Sequence, residues 1–420
     1  MVAPLIQAPA YAIVDATLVT LAPLWQRRTN LARVTEEDLG IVRGGCVVAE
    51  NGKIVAAGGR AECAAQLRTV RERARERFEE IDVAGALVLP GFVDAHTHAL
   101  FAGERIADFE SIAAGETPTQ GIRYTVEQTR ECDESTLVRI GERHLRVLLA
   151  HGTTTAEIKS GYALNADGEA RMLRAMRRLD ERNDLPHVVA TFCGAHALPP
   201  EFDDYDAFVD ELIERILPAV RELDIARFAD AFCELDYFTP AQCRRFLLAC
   251  ERAGMGLRLH AEELSASGGI ALAAELRCAS ADHLNFAGED GARRLAAAGC
   301  VAVLCPSTAE YLDLERWAPA RAFLEHGVPV ALATDFNPGT GPCCSLQTVA
   351  HLARRRLGMT APEAIAGVTV QAARSLRLER TTGALVPGLR ADLAVLGLSD
   401  YRAFGYYYGT NLIQAVALGV

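Results

Sequence analysis

The chain has 420 residues, half of them hydrophobic and 23% charged, an ordinary globular balance that excludes intrinsic disorder and collagen-like order. Its 55 acidic against 43 basic residues leave a formal charge of −12, which argues against nucleic-acid or anionic-membrane partners and leaves any small anionic ligand to a local cationic site. Only Lys53 and Lys159 are lysines, and the 12 cysteines are scattered without a CxxC pair, so neither a zinc ribbon nor a disulfide framework is expected.

The amino-terminal segment MVAPLIQAPAYAIVDATLV has no basic stretch ahead of its apolar residues, and no run reaches the ~18 uninterrupted apolar residues of a membrane span. A soluble cytoplasmic protein with reduced thiols is expected. From Tyr11 to about Asp82 the pattern is short and β-like: AIVDATLVTLA, then CVVAE and KIVAAGG joined at Asn51-Gly52 as a hairpin. An arginine-rich stretch from about Ala61 to Glu80 reads as a solvated surface helix.

From Ala86 onward, short apolar runs alternate with amphipathic segments such as Glu169 to Asn183 and Tyr205 to Leu223. The eight runs are ALVLPGFVDAHTH, TTTAEIKSGY, HVVATFCGAH, FADAFCE, GLRLHAEE, ASADHLN, VAVLCPS and VALATDFN. Eight βα units predict an α/β fold with a (β/α)8 TIM-like barrel rather than a doubly wound sheet. After about Arg380 the pattern returns to short strands, ending near Val420, so both chain ends are expected to build one small β-sandwich. The expected division is 1–85 and 379–420 for the sandwich and 86–378 for the barrel.

The barrel runs end in polar residues that a buried strand has no packing reason to keep. In run one, His96 and His98 are two apart and so share a face of the strand, directed at the barrel mouth where active sites of this fold lie. Run five ends in His260 and Glu263, run six in His283, and run eight in Asp335 and Asn337. A single divalent ion held by His96, His98, His260 and Asp335 has three nitrogens and one hard oxygen, a set best suited to zinc, with iron as the alternative. Run four carries no lysine to become a carboxylated bridge, so one metal ion is expected rather than two. Such an ion makes a nucleophile of water; Glu263 is placed to act as general base and His283 to polarise the substrate carbonyl. Lys159 lies after run two, where a structural ion pair and a functional role stand equally open.

Taken together and in order, PGFVDAHTHALFAGER, GTTTAEIKSGYAL, TFCGAHALPPEF, LHAEELSASGG, SADHL and LATDFNPGTGP resemble the imidazolonepropionase family of the amidohydrolase superfamily, from about Thr17 to the end of the chain. The resemblance implies a barrel of the amidohydrolase type, one Zn2+ or Fe3+ per chain on the same four ligands, and hydrolytic ring opening of 4-imidazolone-5-propanoate to N-formimidoyl-L-glutamate in histidine degradation. It also implies substrate contacts at Arg105, Tyr162, His196, Glu263, Asn337, Gly339 and Thr340, a catalytic role for His283, and a homodimer as a common assembly. Arg105 suits a carboxylate clamp, and the Asn337–Thr340 turn suits anion binding through its N–H groups. One segment departs from the family: Gly115 to Tyr124 is shorter, with a single glycine before Ile122 and no tyrosine at the expected place. A related metal-dependent deaminase or cyclic amidase acting on another small heterocycle is the alternative, and Arg105 discriminates, since a neutral base needs no carboxylate clamp.

Overall fold

The computed structural model describes residues 5–27 and 29–419; the expectations placed on residues 1–4 and on Val420 lie outside them. Eight parallel strands follow one another in chain order around a barrel: Phe92–Asp94, Thr153–Lys159, His187–Ala195, Phe228–Cys233, Gly256–Ala261, Ser280–His283, Val301–Leu304 and Val330–Leu332. Helices cover the outside and side chains fill the inside, so both faces are buried and the strands read as continuous apolar runs. Runs two to eight each contain one of these strands.

The first run divides between two sheets. Leu87–Pro90 pairs antiparallel with Leu393–Leu396 and parallel with Thr17 and Leu18, outside the barrel. The chain then crosses at Gly91, where a β-carbon would collide with the Thr154 side chain, and Phe92–Asp94 begins the barrel.

Barrel strands one and eight do not form a continuous ladder. At the floor, Val93 N–H donates to Val368 O (2.9 Å). At the mouth, Asp335 N–H donates to His96 O (2.9 Å), His98 N–H to Phe336 O (3.0 Å), and Thr334 gives both its N–H (3.0 Å) and its hydroxyl (2.6 Å) to the Asp94 carboxylate. The seam is therefore drawn together by the residues that flank the polar rim.

Both chain ends contribute to a second, mixed sheet, ordered Leu5–Ile6, Ile413–Ala417, Leu393–Leu396, Leu87–Pro90, Ala10–Val19, Ile41–Glu50, Lys53–Gly59. Ala10–Val19 forks it, pairing Phe78–Asp82 along its first half and Leu87–Pro90 near its end. Asn51 and Gly52 both take positive φ (49° and 71°), the backbone that a tight two-residue hairpin demands. One face packs Ile13, Val47, Leu393 and Val395 into a core, and the other packs Ala12, Val14 and Val48 against Cys63 and Val70 of helix Arg60–Ala74. The expected helix to Glu80 is thus corrected: Arg75 at φ 53° breaks it, and Phe78–Asp82 is a strand satisfied by the open edge of Ala10–Val14.

Helix Ala166–Asp180 starts three residues before the expected one because Asn165 Oδ1 caps it, accepting Gly168 N–H at 2.8 Å. Within it, the buried Glu169 carboxylate accepts N–H groups of Gly161, Ala163 and Leu164, and so fixes the loop that carries Tyr162. No helix among the described residues is long and apolar enough to cross a membrane.

Candidate active site

The polar strand ends meet at one rim. His96 and His98, just past barrel strand one, direct their Nε2 atoms at Asp335 Oδ1, 3.4 and 3.6 Å away. His260, on strand five, places its Nε2 3.3 Å from that of His98 and its ring 4.5 Å from that of His96. His283 closes strand six, its ring 5.0 Å from His96 and 5.2 Å from His260. Glu262, His283, Leu284 and Asp335 all have positive φ (53°, 71°, 65° and 51°), a backbone costly for residues with a β-carbon and here concentrated at the mouth.

Partners behind the ring fix its orientation. Asp282 Oδ2 lies 2.7 Å from His96 Nδ1, which leaves Nε2 to face the centre. Asp230 accepts the main-chain N–H of His260 at 3.2 Å, and its other oxygen stands 3.1 Å from His260 Nδ1, at an oblique angle. Thr308 donates its hydroxyl to Asp335 Oδ2 (2.7 Å), so the remaining oxygen is turned inward. Sequence reasoning gave no role to Asp230 or Asp282; the available signal was a lone carboxylate inside the apolar runs FADAFCE and ASADHLN.

A cation fits this ring. His96 Nε2 is buried without a hydrogen-bond partner. Burial holds the imidazoles of His96, His98 and His283 neutral, well below their ordinary pKa. Burial also pushes the Asp335 carboxyl up to about 6 and that of Glu263 well above the usual carboxylate range, with Asp335 adding repulsion to the latter. Donors of His96, His98 and Asp335 lie within 4.8 Å of one another, as do those of His96, His260 and His283. Neutral nitrogens and a partly uncompensated carboxylate converging in a dry site are the donor chemistry of a divalent metal.

Beside the ring is a cavity of about 160 Å³, bounded by His98, Tyr162, His196, Glu263, His283 and Asn337. Glu263 Oε2 is 3.6 Å from His283 Nε2, and neither ring nitrogen of His283 has a partner. Tyr162 is buried, and the His196 ring stacks on His98 at 4.8 Å while its Nδ1 is engaged by Gly161 O (3.0 Å). Arg105 precedes helix Ile106–Ala113 and lies across Gly339, where a β-carbon would fall inside its guanidinium; its buried Nε is unpartnered. Thr340 also lines the cavity.

The turn departs from expectation in one respect. Its Gly339 and Thr340 N–H groups are already given to Asn337 Oδ1 (2.8 and 2.7 Å), so they hold the turn rather than standing free for an anion. In the divergent segment, Asp108 accepts N–H groups of Thr119, Gln120 and Gly121, which starts helix Gly121–Glu131 and brings Ile122 to the cavity. Tyr124 instead packs at Gly103. Phe232 and Tyr237 line the opposite wall, in T-shaped contact at 4.6 Å; sequence reasoning missed both. A larger cavity of about 450 Å³ lies on the far side of Arg105 among Phe101, Phe109, Val147 and Phe336, but it holds none of the converging donors.

The sequence pattern of the amidohydrolase family matches residues 87–411. The imidazolonepropionase of Geobacillus kaustophilus is 41% identical over 409 residues, covering 96% of this chain and 95% of that protein. That of Rubrobacter xylanophilus is 44% identical over 344 residues, 80% of this chain and 82% of that one. Among solved structures, a zinc-bound adenosine deaminase from Xanthomonas campestris superposes with a TM-score of 0.69 at 17% identity, covering 97% of this chain and 91% of that one. Guanine deaminase of E. coli gives 0.67 at 16% identity, over 98% and 97%. The deaminases share the fold; sequence identity of 41% over nearly the whole length narrows the assignment, and the chain belongs to the amidohydrolase family and, within it, to the imidazolonepropionases.

Proposed function

We propose that the protein hydrolyses the ring C–N bond of 4-imidazolone-5-propanoate, giving N-formimidoyl-L-glutamate. The observation that carries this reading is the placing of Arg105, unpartnered at Nε, against the same small cavity as Glu263, His283 and the ring of imidazole and carboxylate donors. His96, His98, His260 and Asp335 would hold one Zn2+ or Fe3+, which when bound supplies Lewis acidity enough to bring the pKa of water toward neutrality.

The chain's own residues perform the rest. Glu263 takes a proton from the attacking water as its oxygen joins the ring carbonyl carbon. The pKa raised by burial keeps that proton on the carboxyl until the ring C–N bond breaks, and Glu263 then returns it to the leaving nitrogen. His283, held neutral by burial, donates a hydrogen bond to the carbonyl oxygen as charge develops there. Arg105 binds the propanoate carboxylate, Tyr162 and His196 wall the ring, and Asn337, with Gly339 and Thr340 in its turn, supports the guanidinium from below.

The substrate is small and anionic. Freshly generated imidazolone propionate should lose its ultraviolet absorbance on addition of the metal-loaded protein, with formimidoylglutamate as product. Metal-loaded protein that leaves it untouched while releasing ammonia from a neutral heterocycle would sink this function in favour of a deaminase.

A further inference from the structure

Beneath the ring of donors, the barrel interior holds a second cluster of charge that the reaction above does not use. Lys159, at the end of barrel strand two, is fully buried; its Nζ lies 2.5 Å from Asp230 Oδ2, 2.8 Å from Glu157 Oε1 and 3.7 Å from Asp282 Oδ2. Arg258 joins from strand five, donating to Asp282 Oδ2 at 3.0 Å and to Ala95 O at 2.7 Å. Two of these carboxylates lead to the rim. Asp282 Oδ2 faces His96 Nδ1 at 2.7 Å, and Asp230 holds the His260 main-chain N–H and stands 3.1 Å from its Nδ1.

One ammonium thus faces both carboxylates that orient histidines from strands one and five. An ionic cluster in a dry interior is a poor source of stability, because desolvation offsets most of the attraction. What it does supply is direction. A carboxylate on Nδ1 keeps the Nε2 lone pair turned to the centre, and Lys159 holds the very oxygen of Asp230, Oδ2, that stands beside His260 Nδ1, as it more distantly faces the Asp282 Oδ2 beside His96 Nδ1. Remove the ammonium, and Asp230 and Glu157, both within 2.8 Å of the same nitrogen, lose their shared partner; Arg258, 3.6 Å from Glu157, is the cation left beside them and does not replace the contact to Asp230 Oδ2.

We propose that Lys159 is a positioning residue for the metal centre: through Asp230 and Asp282 it sets the orientation of His260 and His96, so that their Nε2 atoms face the centre of the ring. This rests on the reading of those two histidines as metal ligands. It separates Lys159 from a merely structural ion pair, whose loss would lower stability and leave the geometry of a bound ion alone.

The test uses the full chain, stripped by a chelator and reloaded with Co2+, whose visible bands report ligand geometry. The charge-balanced double variant Lys159→Met with Glu157→Gln, folded by circular dichroism, should bind Co2+ about 10- to 100-fold more weakly and show shifted bands. A folded double variant with the affinity and bands of the unsubstituted protein overturns the proposal. Should the double variant not fold, Lys159→Gln decides, since it removes the ammonium and leaves Asp230, Asp282 and Glu157 as they are: weaker binding with altered bands supports the proposal, and unchanged binding overturns it. Failure of the unsubstituted protein to bind Co2+ overturns the metal reading itself, whereas normal binding that the variants do not disturb overturns only the role of Lys159.

Discussion

The barrel and the mixed sheet are both built from short β-strands, yet their interiors differ in kind. The barrel buries His96, Glu157, Lys159, Asp230, Arg258 and Asp282 completely, whereas the mixed-sheet core is made of Ile13, Leu18, Val47, Leu393 and their apolar neighbours. Its buried Tyr11 is satisfied by a single main-chain carbonyl, Ala391 O at 3.2 Å. Apolar burial is favourable wherever packing is close, but buried charge persists only where each group has a partner. The barrel interior therefore combines a large apolar core with a charged cluster that can carry chemistry, whereas the mixed sheet is apolar apart from groups such as Tyr11 and Asp392.

Four substitutions can break or sharpen that contrast. The largest effect is expected for Glu263→Gln, which should keep its metal and lose about 10²- to 10⁴-fold in kcat; retention of most turnover in a steady-state assay would remove Glu263 as the base. In the mixed sheet, Ile13→Ala opens a cavity at a fully buried position and should cost about 2–5 kcal/mol in urea melts, with kcat of the folded fraction unchanged. A kcat that fell with it would mean that the two regions are not separable. Arg105→Met should raise KM about 10- to 100-fold by removing a charge-assisted clamp, with kcat changed far less. An equal loss in kcat would show that the guanidinium acts on the reacting atoms instead.

The smallest effect belongs to a half-buried surface pair. The Arg182 hydrogen bond, aided by Arg146, holds the Asp184 carboxyl down at about 2. A folded pKa below the ordinary ~3.9 contributes stability above that value and loses it as pH falls through about 2. Asp184→Asn should therefore cost less than about 1 kcal/mol at neutral pH, and the gap should close as melts are stepped down in pH. A larger gap, or one that widens in acid, would show that surface charge rivals buried charge here.

The rim was legible in the sequence because histidine and aspartate at the ends of apolar runs have no packing purpose, and a period of two fixes which of them share a face. The hairpin at Asn51-Gly52 was legible for a similar reason, since the turn type dictates its residues. Other features depended on partners far along the chain. Leu87–Pro90 and Phe92–Asp94 look like one apolar run, and only the neighbours of each decide that they belong to different sheets. FEEID reads as the tail of a charged helix until Ala10–Val14 offers it an edge. Asp230 meets Lys159 71 residues away, a pairing without local periodicity; the charged residues amid FADAFCE and TTTAEIKSGY were its only trace.

The seam of the barrel has a consequence for the whole chain. An open sheet edge exposes unpaired amides, and strands one and eight meet chiefly at the mouth, through groups as much as 240 residues apart in sequence. Asp335 lies on one side of that join and His96 and His98 on the other, so an ion held by all three, as proposed above, would also be a clasp across it. Binding that requires the closed form stabilises it by mass action. Amide exchange at the two edge strands should accordingly slow as the metal concentration rises, while the mixed sheet exchanges as before.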